Sequence, residues 1–215
     1  MSAKIKICGI KSLFEARAVL DCGARGEKVD FIGLIFAPSK RKVSVEVARD
    51  ISNLALEADV KSVGVFVGQS AEQIVQIARE CNLAAVQIYE DLDFSNLNGE
   101  KSVREVKFEI WRAFSVSDEL PNISNLKYDL VLFDALGASK GGNGIKFDWN
   151  LLSNLNGSKL KWGLAGGLSE QNTREALKYR PWLLDFNSRI EDENGFKIPE
   201  KIKEILKING ENNEY

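Results

Sequence analysis

The chain contains no histidine. That removes the side chain most often used for acid–base catalysis near neutral pH and the commonest metal ligand. Any catalysis therefore falls to aspartate, glutamate, cysteine, lysine or tyrosine, and no metal site is expected. No apolar run approaches the roughly 20 residues of a membrane span, and the strand-like start Lys4-Ile-Lys-Ile7 is unlike a signal peptide. Cysteine is scarce: Cys8, Cys22 and Cys81 are odd in number and widely spaced in 215 residues. A chain of that length needs no staples, so a disulfide framework is not expected, and reduced thiols suit the cytoplasm. There is no strong basic block and the formal charge is −2. A nucleic-acid surface, which leans on clustered Lys and Arg, is therefore not expected either, and any anionic ligand must be held by a local site. Finally, no Gly-x-Gly-x-x-Gly follows the first strand-like stretch, so an open dinucleotide-binding sheet lacks its fingerprint.

What is present is ordinary globular material, 44% hydrophobic and 28% charged, without a linker that would divide it. Strand-like runs alternate with helical periodicity. Residues 4–10, Lys4-Ile-Lys-Ile-Cys-Gly-Ile10, are followed by a Ser12-capped helix. The near-continuous apolar run of residues 30–36 precedes a helix capped by Ser44 and reaching about Glu57. Residues 61–67 precede a helix opened by Ser70 and Gln73 as a capping box and ending near Cys81. Strands four to eight are expected over 84–89, 108–114, 129–134, 161–165 and 183–186. A short or irregular helix is expected over 91–101, a glycine-rich loop over 137–144, helices from Asp148 and after a Ser169 cap, and a last helix opened by Pro199. Eight strand–helix units indicate a single-domain α/β protein, a (β/α)8 barrel over residues 1–208, with 209–215 a frayed tail.

In such a barrel the period of two turns Lys6 and Cys8 inward, with the thiol at the strand's C-terminal end, where barrel enzymes keep their chemistry. Leu130, Leu132 and Asp134 share a face, so an inward Asp134 sits at the same rim as Cys8. Each has a plainer reading: a strand-end aspartate also serves as a cap or a loop ion pair, and a free cysteine usually packs. Lys6, two residues below Cys8, favours either thiolate formation or a structural ion pair. Gln87 and Arg112 fall on the inferred inward faces. Residues 165–169, with Gly166 and Gly167, and residues 185–191, with Ser188 and Arg189, form the loop pair that often cradles phosphate in barrels.

Taken in order, Lys6-Ile-Cys-Gly-Ile10, Phe36-Ala-Pro-Ser-Lys-Arg-Lys-Val-Ser44, Val63-Gly-Val-Phe-Val67, Val86-Gln-Ile88, Leu132-Phe-Asp-Ala135, Gly141-Gly-Asn-Gly144 with Phe147-Asp-Trp149, Leu164-Ala-Gly-Gly-Leu168 and residues 185–191 resemble the phosphoribosylanthranilate isomerases, cofactor-free barrel enzymes of tryptophan biosynthesis. The resemblance implies an Amadori rearrangement of a small phosphoribosyl substrate. It makes Asp134 the general acid that opens the furanose ring and Cys8 the general base that removes the C2′ proton. It also assigns Arg41 to the substrate carboxylate, Gly166, Gly167 and Ser188 to the phosphate, and Asp185 to a ribose hydroxyl, with Arg189 an added cation. Three positions depart from the family pattern. Tyr89-Glu90 stands where His-Gly is common, Ser188-Arg189 replaces Ser-Gly, and the loop bearing Arg41 is one residue shorter. Lys6, Gln87, Tyr89 and Arg112 are candidate supports. Two other readings remain open: another phosphosugar barrel enzyme, which would need no carboxylate clamp at Arg41, and a phosphosugar-binding barrel without turnover, against which the presence of both Cys8 and Asp134 counts. No exposed apolar stripe is legible, so the sequence does not reveal the oligomeric state.

Overall fold

Short runs rich in Val, Ile, Leu and Phe form eight strands: β1 (Lys4–Cys8), β2 (Phe31–Ile35), β3 (Lys61–Phe66), β4 (Ala85–Ile88), β5 (Glu109–Val116), β6 (Leu130–Ala135), β7 (Trp162–Leu164) and β8 (Leu183–Phe186). The computed structural model describes residues 2–23, 27–94, 108–123, 127–135, 147–155 and 160–211. Every strand pairs in parallel with its sequence neighbours, and β8 returns to β1 through the register Lys4↔Leu183 to Ile7↔Phe186, closing a (β/α)8 barrel. The expected glycine-rich loop and most of the expected 91–101 helix lie outside the described residues; residues 91–94 are not helical.

Period-two alternation sorts the strand residues into two cores. Ile5, Ile7, Ile32, Leu34, Phe133, Leu184 and Phe186 point outward and are covered by the helices. Phe31, Val63, Val65, Trp111, Ala113, Leu130, Leu132 and Leu183 fill the interior. The covering helices are α1 (Leu13–Leu20), α2 (Val45–Glu57), α3 (Ala71–Glu80), α4 (Thr173–Leu177) and α5 (Pro199–Glu211). Ser12, Ser44 and Ser70 each accept the backbone N–H three residues on, and Gln73 completes the box with Ser70, satisfying donors that a helix start otherwise leaves bare. Among the described residues, no helix is long and apolar enough to cross a membrane.

Four expectations require correction. The segment after Asp148 is a 3-10 helix, Trp149–Leu155, rather than an α-helix; its buried residues Trp149, Leu152 and Leu155 recur every third position, which three residues per turn keep on one face. Ser169 does not cap the next helix. Its N–H donates to Asn172 Oδ1 (2.8 Å) and its carbonyl accepts from Thr173 Oγ1 (2.7 Å), so the intervening turn delays α4 to Thr173. Arg112 is not inward: Trp111 takes the interior, 5.0 Å from the Phe31 ring, while Arg112 turns outward to Asp91 (2.9 Å) and the face of Phe114. The aromatic occupies the interior, and the guanidinium, buried on the outer side, is satisfied there by the exposed carboxylate of Asp91. Nor is the chain frayed from residue 209, because α5 runs to Glu211 and Asn209 is buried.

Candidate active site

The C-terminal ends of β1, β2, β3, β4, β6, β7 and β8 open into one cavity, at the end of the barrel where such folds keep their ligand sites. Its lining brings together ten of the candidates named from the sequence: Cys8, Arg41, Gln87, Tyr89, Asp134, Gly166, Gly167, Asp185, Ser188 and Arg189. Lys6 lies beneath them, wholly buried, and Arg112 is not among them.

Cys8 reaches the interior because Gly33 faces it; a Cβ there would fall 2.7 Å from the sulfur, well inside van der Waals contact. Burial raises the thiol's pKa above its usual value, and the ammonium of Lys6 only partly offsets this. Lys6 donates to Asp185 Oδ2 (2.7 Å) and Gln87 Oε1 (3.0 Å) while also acting on the thiol. Burial alone would disfavour that ammonium, but the negative groups beside it, Asp185 first, hold its pKa above the ordinary value, so Lys6 stays charged. The sequence left its role open between an ion pair and support of the thiolate, and Lys6 both pairs with Asp185 and favours ionisation of Cys8. Asp185 keeps its other oxygen, Oδ1, buried with no hydrogen-bond partner. An orphaned acceptor in a cavity wall is a place for a ligand hydroxyl.

Asp134 ends the inward series of β6. Burial, with the charge of Asp185 second, raises its pKa to about 6, against the opposing pull of Tyr89 and Lys6. It is thus a carboxyl that holds a proton far more readily than a solvated one. Tyr89 donates to its Oδ2 at 3.2 Å. Gly166 sits beside it with φ of 82° and no room for a side chain, since a Cβ would lie 2.5 Å from the Ala135 nitrogen and 2.8 Å from Asp134 Oδ1. Only glycine satisfies both demands. The turn so formed presents Gly166 and Gly167 to the cavity across from Ser188, which opens the 3-10 turn Ser188–Ile190. Arg189 is largely exposed, and its carbonyl accepts from Lys201 (2.9 Å).

Despite the shortened loop, Arg41 reaches the cavity and is buried. Its Nε and Nη2 donate to the two oxygens of Glu191, at 2.5 and 2.7 Å. Glu191 also accepts from the buried Lys197 (2.7 Å), which in turn holds the Asn187 side chain (2.9 Å). Burial works against the Glu191 charge, but Arg41 and Lys197 outweigh it and keep its pKa low. Glu191 and Lys197 carry no motif of their own. Glu191 ends a stretch notable in the sequence for its Ser-Arg pair, and nothing local marks Lys197.

A closed parallel barrel with a thiol, two carboxyls and an oriented guanidinium at the C-terminal ends of its strands defines a barrel enzyme of the acid–base kind. More particularly, the chain belongs to the N-(5'-phosphoribosyl)anthranilate (PRA) isomerase family, whose profile it matches over residues 5–208. It is 41% identical over 212 residues to the N-(5'-phosphoribosyl)anthranilate isomerase of Campylobacter jejuni, covering 95% of this chain and 97% of that protein. Among solved structures it resembles phosphoribosyl anthranilate isomerase from Thermus thermophilus, with a TM-score of 0.78, 26% identity and coverage of 97% and 98% of the two chains. A further phosphoribosyl anthranilate isomerase, in complex with reduced 1-(o-carboxyphenylamino)-1-deoxyribulose 5-phosphate, is 28% identical, with a TM-score of 0.73 and coverage of 97% and 99%.

Proposed function

We infer that the protein is a phosphoribosylanthranilate isomerase of tryptophan biosynthesis. It converts N-(5-phospho-β-D-ribosyl)anthranilate to 1-(2-carboxyphenylamino)-1-deoxy-D-ribulose 5-phosphate. Beyond the family match, the observation that carries this reading is an Asp134 whose pKa burial raises to about 6 and a buried Cys8, both lining one cavity. Asp134 gives its proton to the furanose ring oxygen, and the C1′–O bond opens to a Schiff base. The Cys8 thiolate then removes the C2′ proton, leaving an enolamine that tautomerises to the ketone. Each step moves one proton between a named group and a named atom, as acid–base catalysis requires. Arg41, already held flat by Glu191, meets the anthranilate carboxylate; Gly166, Gly167, Ser188 and Arg189 meet the phosphate; and the orphaned Oδ1 of Asp185 takes a ribose hydroxyl. Three buried thiols outside any disulfide support a reducing, cytoplasmic setting.

The ionisation states set the pH dependence. Turnover needs Asp134 protonated and Cys8 ionised, yet Asp134 titrates near 6 and Cys8 above its usual value. The active ionisation is therefore a minor one. Below Asp134's pKa its fraction rises with pH, between the two values it is constant, and above the thiol's value it falls. Log kcat/KM should climb to a break near pH 6 and then run flat into the alkaline range; a profile that keeps rising through pH 7 would remove Asp134 as the group titrating near 6.

The direct test supplies freshly generated phosphoribosylanthranilate and follows loss of its fluorescence, with the product identified by mass. The expected result is turnover that falls by about 10²- to 10⁴-fold in both Cys8→Ala and Asp134→Asn. Near-wild-type rates in either variant would take that residue out of the mechanism, and a folded wild-type protein without turnover would overturn the reading.

A further inference from the structure

Asp134 is joined to the far side of the barrel by a buried chain whose hydrogen bonds can run in one direction only. Lys6 Nζ lies 3.0 Å from Gln87 Oε1, Gln87 Nε2 lies 3.4 Å from the Tyr89 oxygen, and that oxygen lies 3.2 Å from Asp134 Oδ2. An ammonium has three donors and no acceptor, so Lys6 fixes the Gln87 amide with its oxygen toward the lysine. The Gln87 NH2 must then face Tyr89, and the phenol, receiving a proton from that side, directs its single O–H at Asp134. The phenol keeps that proton throughout, since burial, with the neighbouring carboxyl second, pushes its pKa well above the usual value. Asp134 Oδ1 lies instead beside Gly166, at the cavity wall, and the Ala135 backbone N–H adds a weaker stabilising bond to the carboxyl than Tyr89 does.

We propose that Tyr89 is a positioning residue for Asp134: its hydroxyl, aimed by Lys6 and Gln87, holds Oδ2 as an acceptor and leaves Oδ1 as the oxygen that carries and delivers the proton. This rests on the isomerase reading and assigns a task to the residue that departs from the family's usual histidine. The same bond stabilises the carboxylate and so limits how far burial lifts Asp134. The other charged or titratable groups facing Asp134 are Asp185 on β8 and Lys6 and Cys8 on β1, with Arg41 and Lys197 beyond the thiol. Strands β3 and β5 turn Val65 and Ala113 toward the interior, as Ala165 does just after β7, and none of them contributes a charge.

The test is a 13C NMR titration of the Asp134 carboxyl in free protein labelled at aspartate, run beside kcat/KM profiles. Tyr89→Phe should move the Asp134 pKa up by about 0.5–1 unit, the worth of one hydrogen bond, and the break near pH 6 should follow it. Protein carrying 3-fluorotyrosine at position 89 keeps the shape and strengthens the donor, so its shift should be downward. Opposite shifts cannot come from packing alone. An unchanged Asp134 pKa in folded Tyr89→Phe, or shifts of one sign in both proteins, would overturn the proposal; if Tyr89→Phe does not fold, the fluorinated protein decides by itself. The titration needs no turnover, so an inactive wild-type protein would count against the isomerase reading while leaving this assignment to its own result.

Discussion

As the proposed carboxylate clamp, Arg41 is prepared for its ligand before the ligand arrives. A buried guanidinium on a loop has many rotamers to lose, and binding through it would cost that ordering. Glu191 removes the cost by taking two of its donors in a planar pair, and Lys197 fixes Glu191 in turn. Arg41→Ala should therefore raise KM by about 10²-fold with a much smaller change in kcat, and Glu191→Gln, which loosens the pair, should raise KM by roughly three- to tenfold. Steady-state kinetics of both variants is the check, and unchanged KM in both would mean that the substrate carboxylate is held elsewhere. Arg41 was visible in the sequence because it sits in a recognisable loop stretch. Its partner stands 150 positions away, and spacing carries no information over that distance. Tyr89 was visible only as a departure. Its use follows from the Gln87 amide and the Lys6 ammonium, whose meeting needs the closed barrel.

At the scale of elements, legibility followed the range of the signal. Ser12, Ser44, Ser70 and Pro199 marked helix starts correctly because capping is settled within a turn. Ser169 misled because Asn172 and Thr173 compete for its backbone, and Arg112 misled because β5 carries large side chains on both faces, so alternation did not choose between them. The end of α5 failed for a long-range reason. Asn209 reads as a helix-terminating polar residue, yet its amide accepts from the Ala3 N–H (3.0 Å) and donates to the Ala3 carbonyl (2.8 Å), clasping the last helix to the entry of β1. Two buried backbone groups depend on that one side chain. Asn209→Ala should cost about 2–4 kcal/mol, since each group is left without a partner. Urea unfolding monitored by circular dichroism would measure it, and a loss below about 0.5 kcal/mol would show that water takes over both bonds.

For the whole molecule, the site is an expense of the fold as well as its product. Below the mouth the barrel is apolar, packed by Trp111, Leu130 and Leu132, but Lys6, Gln87 and Asp185 form a polar belt through its interior and Asp134 sits above them. A pKa raised by burial means that the ionised form destabilises the native state. In the unfolded chain Asp134 titrates near the ordinary value of about 3.9, and in the native protein at about 6. Between those values the folded state keeps a proton that the unfolded state has released, so stability falls as pH rises from about 4 to about 6 and stays lower beyond. The two-unit difference corresponds to about 3 kcal/mol at most, and sharing of charge with the Lys6–Asp185 pair makes about 1–3 kcal/mol the expected size. Asp134→Asn cannot ionise. It should be nearly inactive yet more stable than wild type at pH 8 by that amount, with the gain vanishing toward pH 4, as an active site that trades stability for chemistry requires. Urea melts of both proteins at pH 4, 6 and 8 test this directly. A variant no more stable than wild type at pH 8 would show that the Asp134 carboxylate is fully compensated in the native barrel, and that the proton it delivers is held by something other than burial.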